Sequence, residues 1–536
     1  MAGPYRDSGG DEPAEAPRDA GIVGDVIAQF ADAHAYLREL VQNSIDAGSP
    51  SVDVEVSYER ADQRLRVAVR DRGEGMTRDI IENQLLVLFR STKEDDRTKI
   101  GKFGIGFASV LSPNPEVVTV HSSRDGRRLT LHLYRDLSYE LFDAGPATQT
   151  GTTVELEIAM PPGDVSAYRT ACETALRRWC RHAMVPINFV DVRPEQKTAS
   201  RIDKPLELDH VLVQVTRSTD DDQLTVVVGI SGTGGHVGFF NHGLMLHESP
   251  GDLVGNGIDA KIQDSRLGHT LSRDDVRRDR HFDRAVEFAR EVAQGALADA
   301  IGEKLRELAE AGDHANHFAL ALATSSSSVR PPHWWVPLVE PYAGKRTILV
   351  GALGRTAWAA PRSTALTKRM AADGRPVVLA PDPELGNVLA RVAGCELAFV
   401  HREITAITPE PRTDADDALL AFLLEILDEV HRKPRSILLA RLDGLHADAL
   451  AICAADENER IVEDDNARRN PFGLFLRRTL VLSVEASAVK GARAAADPRV
   501  AASHLARAIL LQYRLLDIGR SERILDIALE RAGVAR

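Results

Sequence analysis

The sequence predicts an α+β protein of several domains that opens with helices layered over an antiparallel sheet. Three observations carry this expectation. Five segments before about residue 200 (VDVEVSYE, RLRVAVRD, VVTVHSS, RRLTLHLYRD and TTVELEIA) alternate apolar and polar residues with period two, as strands with one covered face do. Helical patterns surround them: VGDVIAQFADAHAYLRELVQNSIDAG before, RDIIENQLLVLF among, and VSAYRTACETALRRWCRHA after. Finally, 536 residues with 43% hydrophobic content exceed what a single core organises.

The first 20 residues mix acids, prolines and glycines, with neither the basic start nor the apolar block of a secretory signal, and read as a disordered tail. Residues 21–200 form the first domain. Residues 201–323 continue with strands (HVLVQVTR, LTVVVGIS, HVGFFNHGLML) and end in amphipathic helices. The Ser run ATSSSSVRPP reads as a linker or long loop, as does ITPEPRTDADD. Between them, residues 333–407 suggest a small α/β domain with TILVGALG, RPVVLAP and ELAFV as strands. Residues 414–536 suggest a mostly helical end, a candidate for dimerisation, with one strand-like insert, RTLVLSV.

Composition excludes several classes. With 66 Lys+Arg against 79 Asp+Glu the net charge is −13, which argues against a chain devoted to gripping phosphate backbones. Four cysteines without C-x-x-C spacing exclude a disulfide scaffold and a zinc ribbon. The longest apolar runs stop well short of the about 18 residues a bilayer span needs, so no membrane association and a cytoplasmic location are expected. Histidines at 236, 242, 247, 314 and 317 lack the companions of a zinc site; His242 and His247, read as one strand, would face opposite sides.

Three segments carry chemistry together. In LRELVQNSIDA, Glu39, Asn43 and Asp46 are spaced i, i+4, i+7 and share a helix face. In VRDRGEGM, Asp71 ends a strand, Gly73 and Gly75 permit a tight turn, and Met76 can pack on a flat apolar ligand. In KIGKFGIGFASV, Gly101, Gly104 and Gly106 precede a helix and let backbone N–H groups approach an anion. Taken singly, each has an ordinary reading: a solvated face, a common turn, a weak glycine pattern.

In this order, the three segments, together with GTTVELEI (Gly151 to Ile158), resemble the Bergerat-type ATP-binding domain shared by Hsp90 chaperones, type II topoisomerases, MutL proteins, MORC proteins and sensor histidine kinases, the GHKL superfamily. RELVQNSIDA, DRGEGMT and IGKFGIGFASV look closest to Hsp90, and AKIQDSRLGHTLSRDDVRRDRHFDRA resembles its middle-domain segment with a Ser-Arg-Glu loop, here Ser272, Arg273 and Asp274. The resemblance covers roughly residues 21–323 and implies a two-layer ATPase sandwich followed by Hsp90-like middle α/β domains.

The resemblance also implies roles. Glu39 would be the general base, and Asn43 would hold Mg²⁺ and the nucleotide; Asp71, with Met76 and Thr152, would receive adenine. Asp46, Ala47 and Gly75 would line the same pocket, with Asn83 near the ribose and phosphates. Gly101, Phe103, Gly104, Ile105, Gly106 and Phe107 would cradle the phosphates, with Arg90, Ser91 or Lys93 as a further phosphate contact, and Arg273 would sense the γ-phosphate. The implied cofactors are ATP and Mg²⁺, and the implied partners are protein clients or one cognate protein, with the chain acting as a homodimeric chaperone. Two departures stand out. The lid between Met76 and the glycine loop is short, and ENQLLVLFRSTKEDD lacks the Hsp90 lid glycines. The alternative is a DNA-handling ATPase similar to MutL or MORC proteins. A sensor kinase would need a phosphoaccepting helix upstream, where only a short polar tail precedes the domain.

Overall fold

A computed structural model describes residues 33–86, 105–193, 196–270, 275–473 and 476–531. They divide into two compact units, one up to Leu297 and one from Ala298.

The first unit holds two sheets. The larger has eight strands: β1 (Val52–Glu59), β2 (Arg64–Asp71), β3 (Val117–Arg124), β4 (Arg127–Tyr134), β5 (Tyr139–Pro146), β6 (Gly151–Ala159), β7 (Ile187–Arg193) and β8 (Gln196–Arg201). Their order is β5-β4-β3-β6-β2-β1-β7-β8, antiparallel except for the β1–β7 pair. Period-two alternation becomes a covered face: Val52, Val54, Val56, Leu65, Val67, Val118, Val120, Leu131, Leu133 and Leu156 are fully buried, each such side chain contributing about 1.5–3 kcal/mol. Helices α1 (Ala35–Asp46) and α2 (Val165–Trp179) pack together over this face, joined by a 3.2 Å contact between the Tyr36 and Tyr168 hydroxyls. After Thr77 caps a single turn (Arg78–Ile80), the chain widens into a π-turn at Ile81–Leu85 rather than continuing as a regular helix.

The second sheet contains β9 (Val213–Ser218), β10 (Leu224–Ile230), β11 (His236–Asn241), β12 (Leu244–Pro250) and β13 (Asp259–Asp264), ordered β12-β11-β13-β10-β9. The expectation of one strand through HVGFFNHGLML is corrected here. His242 and Gly243, at φ 47° and 77°, form a two-residue hairpin turn, the geometry that matches strand twist. A Cβ at position 243 would lie 1.7 Å from the His182 carbonyl oxygen, so the turn is pressed against the end of the first domain. His182 itself lies 2.9 Å from Lys261 Nζ through Nε2, and its ring meets Phe240 edge-on.

In the second unit, helices α4 (Ala298–Ala311) and α5 (His314–Ser326) follow α3 (Arg280–Val292) of the first unit in the chain. They were expected to close the domain ending at residue 323; instead α4 packs on β14 (Trp335–Tyr342) and the His317 ring donates to the Trp335 carbonyl at 2.8 Å. The Ser run is correspondingly half helix and half loop, with residues 327–334 leading into β14. Its first residues finish α5, and Ser325, Ser326 and Ser327 bond back to carbonyls three or four residues earlier, which satisfies their hydroxyls within the helix end. Strand β14 joins β15 (Lys345–Leu349), β16 (Thr356–Ala360), β17 (Val377–Leu379) and β18 (Glu396–Phe399) in one sheet. A second sheet combines β19 (Ile404–Pro409), β20 (Ser436–Gly444), β21 (Ala451–Ala454), β22 (Ile461–Glu463) and β23 (Thr479–Ser483). The end of the chain is therefore α/β rather than helical with one strand. ITPEPRTDADD is the end of β19 and a helix start, where Thr413 and Asp416 form a reciprocal cap. Asp416 also takes a bidentate bond from Arg493 at 2.7 and 2.9 Å, which holds its carboxyl down at about 2. Among the described residues no helix is long and apolar enough to cross a membrane.

Candidate nucleotide site

A cavity of about 670 Å³ lies in the first unit, a volume in the range of small-molecule sites. One wall comes from the first sheet and α1; the other comes from the second sheet.

The first wall is tightly tied. Asp71, at the end of β2, accepts through Oδ1 from the backbone N–H groups of Gly73 (2.8 Å) and Thr152 (3.1 Å). Its Oδ2 accepts from the Ser44 hydroxyl at 3.4 Å. Burial pushes its pKa up, and these three bonds pull it back. The side chain of Thr152 meets Ser122 Oγ at 3.0 Å, and Ser122 Oγ accepts from the Met76 backbone at 2.7 Å. The turn between them requires glycine: Gly75 has φ 69°, and a Cβ there would sit 2.2 Å from the Ser123 carbonyl oxygen.

On α1, Glu39 is 3% exposed and accepts from Arg38 Nη2 at 2.8 Å. Arg38 is itself buried, with its guanidinium 5.8 Å from the Trp179 ring centroid. A buried carboxylate needs such a partner, and this one also fixes its direction. Asn43 and Asp46 line the more exposed end of the cavity. Burial raises the pKa of Asp46, opposed by His242.

The second wall is contributed by Asn241, His242, Leu244 and Leu246 around the hairpin, and by Leu267, Gly268, His269, Thr270 and Arg277 after β13. The two arms of that segment are joined by Arg277 N to Gly268 O (2.7 Å) and Thr270 N to Asp275 O (2.9 Å). Arg277 Nε is held by Asp279 at 2.7 Å.

Of the residues singled out in the sequence, Glu39, Asn43, Asp46, Ala47, Asp71, Gly75, Met76, Gly106, Phe107 and Thr152 come together on this cavity. Asn83 does not. It is exposed and donates to Asp79 at 2.7 Å, while Ile80, Gln84 and Leu85 take the lining positions, because the π-turn adds a residue and rotates the face. Arg90, Ser91, Lys93, Gly101, Phe103, Gly104 and Arg273 lie outside the described residues, as does the Ile105 side chain. Gly106 and Phe107 stand on a single helical turn, Ile105–Ala108, where Ser109 Oγ donates to the Gly106 carbonyl at 2.6 Å. Arg38 and Ser44 lie within the helix motif and His269 and Arg277 within the segment around Arg273, but their places on the cavity, like the Ser122 link between Thr152 and Met76, are found only in three dimensions.

Residues 32–144 match the family described as histidine kinase-, DNA gyrase B-, and HSP90-like ATPase. The DNA mismatch repair protein MutL of Thermosipho africanus is 28% identical over 145 residues, 25% of this chain and 24% of that one, so the match spans about a quarter of the relative. The matched residues, which include α1 and strands β1 to β4, are thus similar to GHKL-type, Bergerat-fold ATPase domains.

Proposed function

We propose that the protein is an ATP-hydrolysing machine that binds ATP and Mg²⁺ in the cavity of its first unit and couples turnover to movement of the second sheet. The observation that carries this reading is the sharing of one cavity between Glu39 and Asp71 on one wall and His269, Thr270 and Arg277 on the other. Asp71 offers a carboxylate to a hydrogen-bond donor such as the adenine amino group, in a socket shaped by Met76 and Thr152. Glu39 takes the proton of an attacking water, as a general base must. Asn43 presents an amide oxygen, the hard ligand type that Mg²⁺ accepts while keeping most of its waters. Once bound, the metal would offset phosphate charge. Arg273 is the candidate γ-phosphate sensor, and Arg277, four residues on, stands in the cavity wall.

In this reading the work done is remodelling of a protein partner, by a homodimer. A second copy has a suitable surface: Ile518, Leu525 and Leu529, at i, i+7 and i+11 on one helix, are 80%, 40% and 45% exposed. Leu525→Glu should halve the mass in sedimentation if that face pairs. DNA handling is the second reading, favoured by the MutL similarity and opposed by the net charge of −13. A DNA mobility shift that weakens steeply with salt near physiological ionic strength would select it.

Glu39→Ala tests the ATPase reading. It should bind ATP normally and turn over at least ~100-fold more slowly, the scale of a lost general base. Unchanged turnover would remove Glu39 from that role.

A further inference from the structure

Arg38 and His269 stand on opposite walls of the cavity, and each has a buried nitrogen without a hydrogen-bond partner: Arg38 Nε and His269 Nδ1. An unmade bond at a buried polar atom costs about 1–3 kcal/mol, so two such atoms on one cavity call for a reason.

The other contacts of the pair define what is left over. Arg38 gives Nη2 to Glu39 and lays its guanidinium toward Trp179, leaving the Nε–H as an unused donor. His269 is fixed by its backbone, in a bridge to Val276. Its ring stays neutral, because burial above all, then the charges of Arg38 and His247, push its pKa down to about 3. A neutral imidazole carrying its proton on Nε2 exposes Nδ1 as an acceptor. The orphan donor and the orphan acceptor are chemically complementary, and both side chains line the same cavity.

We propose that His269 is a positioning residue for the hydrolysis assigned above: its Nδ1 accepts from Arg38 Nε, directly or through one water, when nucleotide draws the walls together. The bond ties the Arg38–Glu39 pair to the second sheet. The sheet then sets the direction of the base without touching the nucleotide. This role rests on the ATPase reading and is separate from that of a phosphate-sensing arginine.

The test uses the full chain, with ATP turnover and equilibrium ATP binding measured side by side. His269→Ala should lower kcat about tenfold, the scale of one charge-assisted hydrogen bond, with binding unchanged within about twofold. His269→Asn places an amide oxygen where Nδ1 stood and should recover most of the rate. His269→Gln places its oxygen at the Nε2 position and should not. Arg38→Lys keeps the charge but has no Nε–H, so it should lower kcat, and adding His269→Ala should slow it no further. Wild-type kcat in His269→Ala, equal rescue by Asn and Gln, or multiplying effects in the double variant would each overturn the proposal. If Glu39→Ala loses turnover while His269→Ala keeps it, the latch alone fails. If the wild type does not hydrolyse ATP, the ATPase reading fails first.

Discussion

The two walls of the cavity are built differently. On the first, Arg38 Nε is left over but the groups that face the nucleotide position are already held: Asp71 holds three donors, Thr152 and Met76 meet through Ser122, and Glu39 is paired with Arg38. On the second, Asn241 spends its Nδ2 on the Ser265 and Leu267 carbonyls yet leaves Oδ1 buried without a partner, and His269 leaves Nδ1 in the same state. The difference separates two tasks. A preorganised wall binds with little reordering, whereas a wall with unmade bonds has something to gain when it moves.

Asp71→Asn should break the first wall most severely. Because Oδ1 is tied to two backbone N–H groups, the new amide nitrogen can only take the Oδ2 place, where it points a donor at a donor. ATP affinity should fall at least ~100-fold, since a buried polar mismatch costs several kcal/mol in total. Wild-type affinity in a calorimetric titration would move the pocket elsewhere.

Gly75→Ala attacks the same wall through the backbone. Its Cβ would collide with the Ser123 carbonyl at a φ that alanine rarely adopts, so a loss of about 1–3 kcal/mol in stability and weaker nucleotide binding should follow. An unchanged denaturant midpoint would mean that the turn relaxes freely.

The smallest effect concerns pH and distinguishes the walls by their titrating groups. Burial lowers His182, at the foot of the hairpin turn, to about 4 and His269 to about 3, both below the unfolded value of about 6.5. The folded state therefore binds fewer protons, and the stability these groups allow is full above about pH 6.5 and declines as pH falls toward their folded values. Asp71 works the other way, because its raised pKa favours the folded state once protonated. Amide exchange across residues 236–247 and 265–270 should thus rise between pH 6.5 and 4.5 before that of residues 69–77, after correction for intrinsic rates. Equal or reversed sensitivity would contradict the assignment.

The first wall was largely legible in the sequence and the second was not. Glu39, Asn43 and Asp46 follow from helical spacing, and Asp71 and Gly75 from the chemistry of a turn, all local patterns. Asn83 went astray because a π-turn breaks the 3.6-residue period from which its face was read. His269 reaches the cavity only through packing of one sheet against another, which no spacing encodes. Strand β20 was missed because SILLARL is a short, nearly continuous apolar run, equally readable as strand or buried helix. The helical half of the Ser run misled because hydroxyls that bond back to their own helix look, in sequence, like a polar loop.

Hydrogen–deuterium exchange of the full chain with and without a non-hydrolysable ATP analogue and Mg²⁺ tests the shared cavity most directly. Protection should appear in peptides covering residues 35–47 and 69–77 and also, in the same titration, in residues 241–246 and 265–270 of the second wall. Protection confined to the first wall would show that the second sheet has no part in the site.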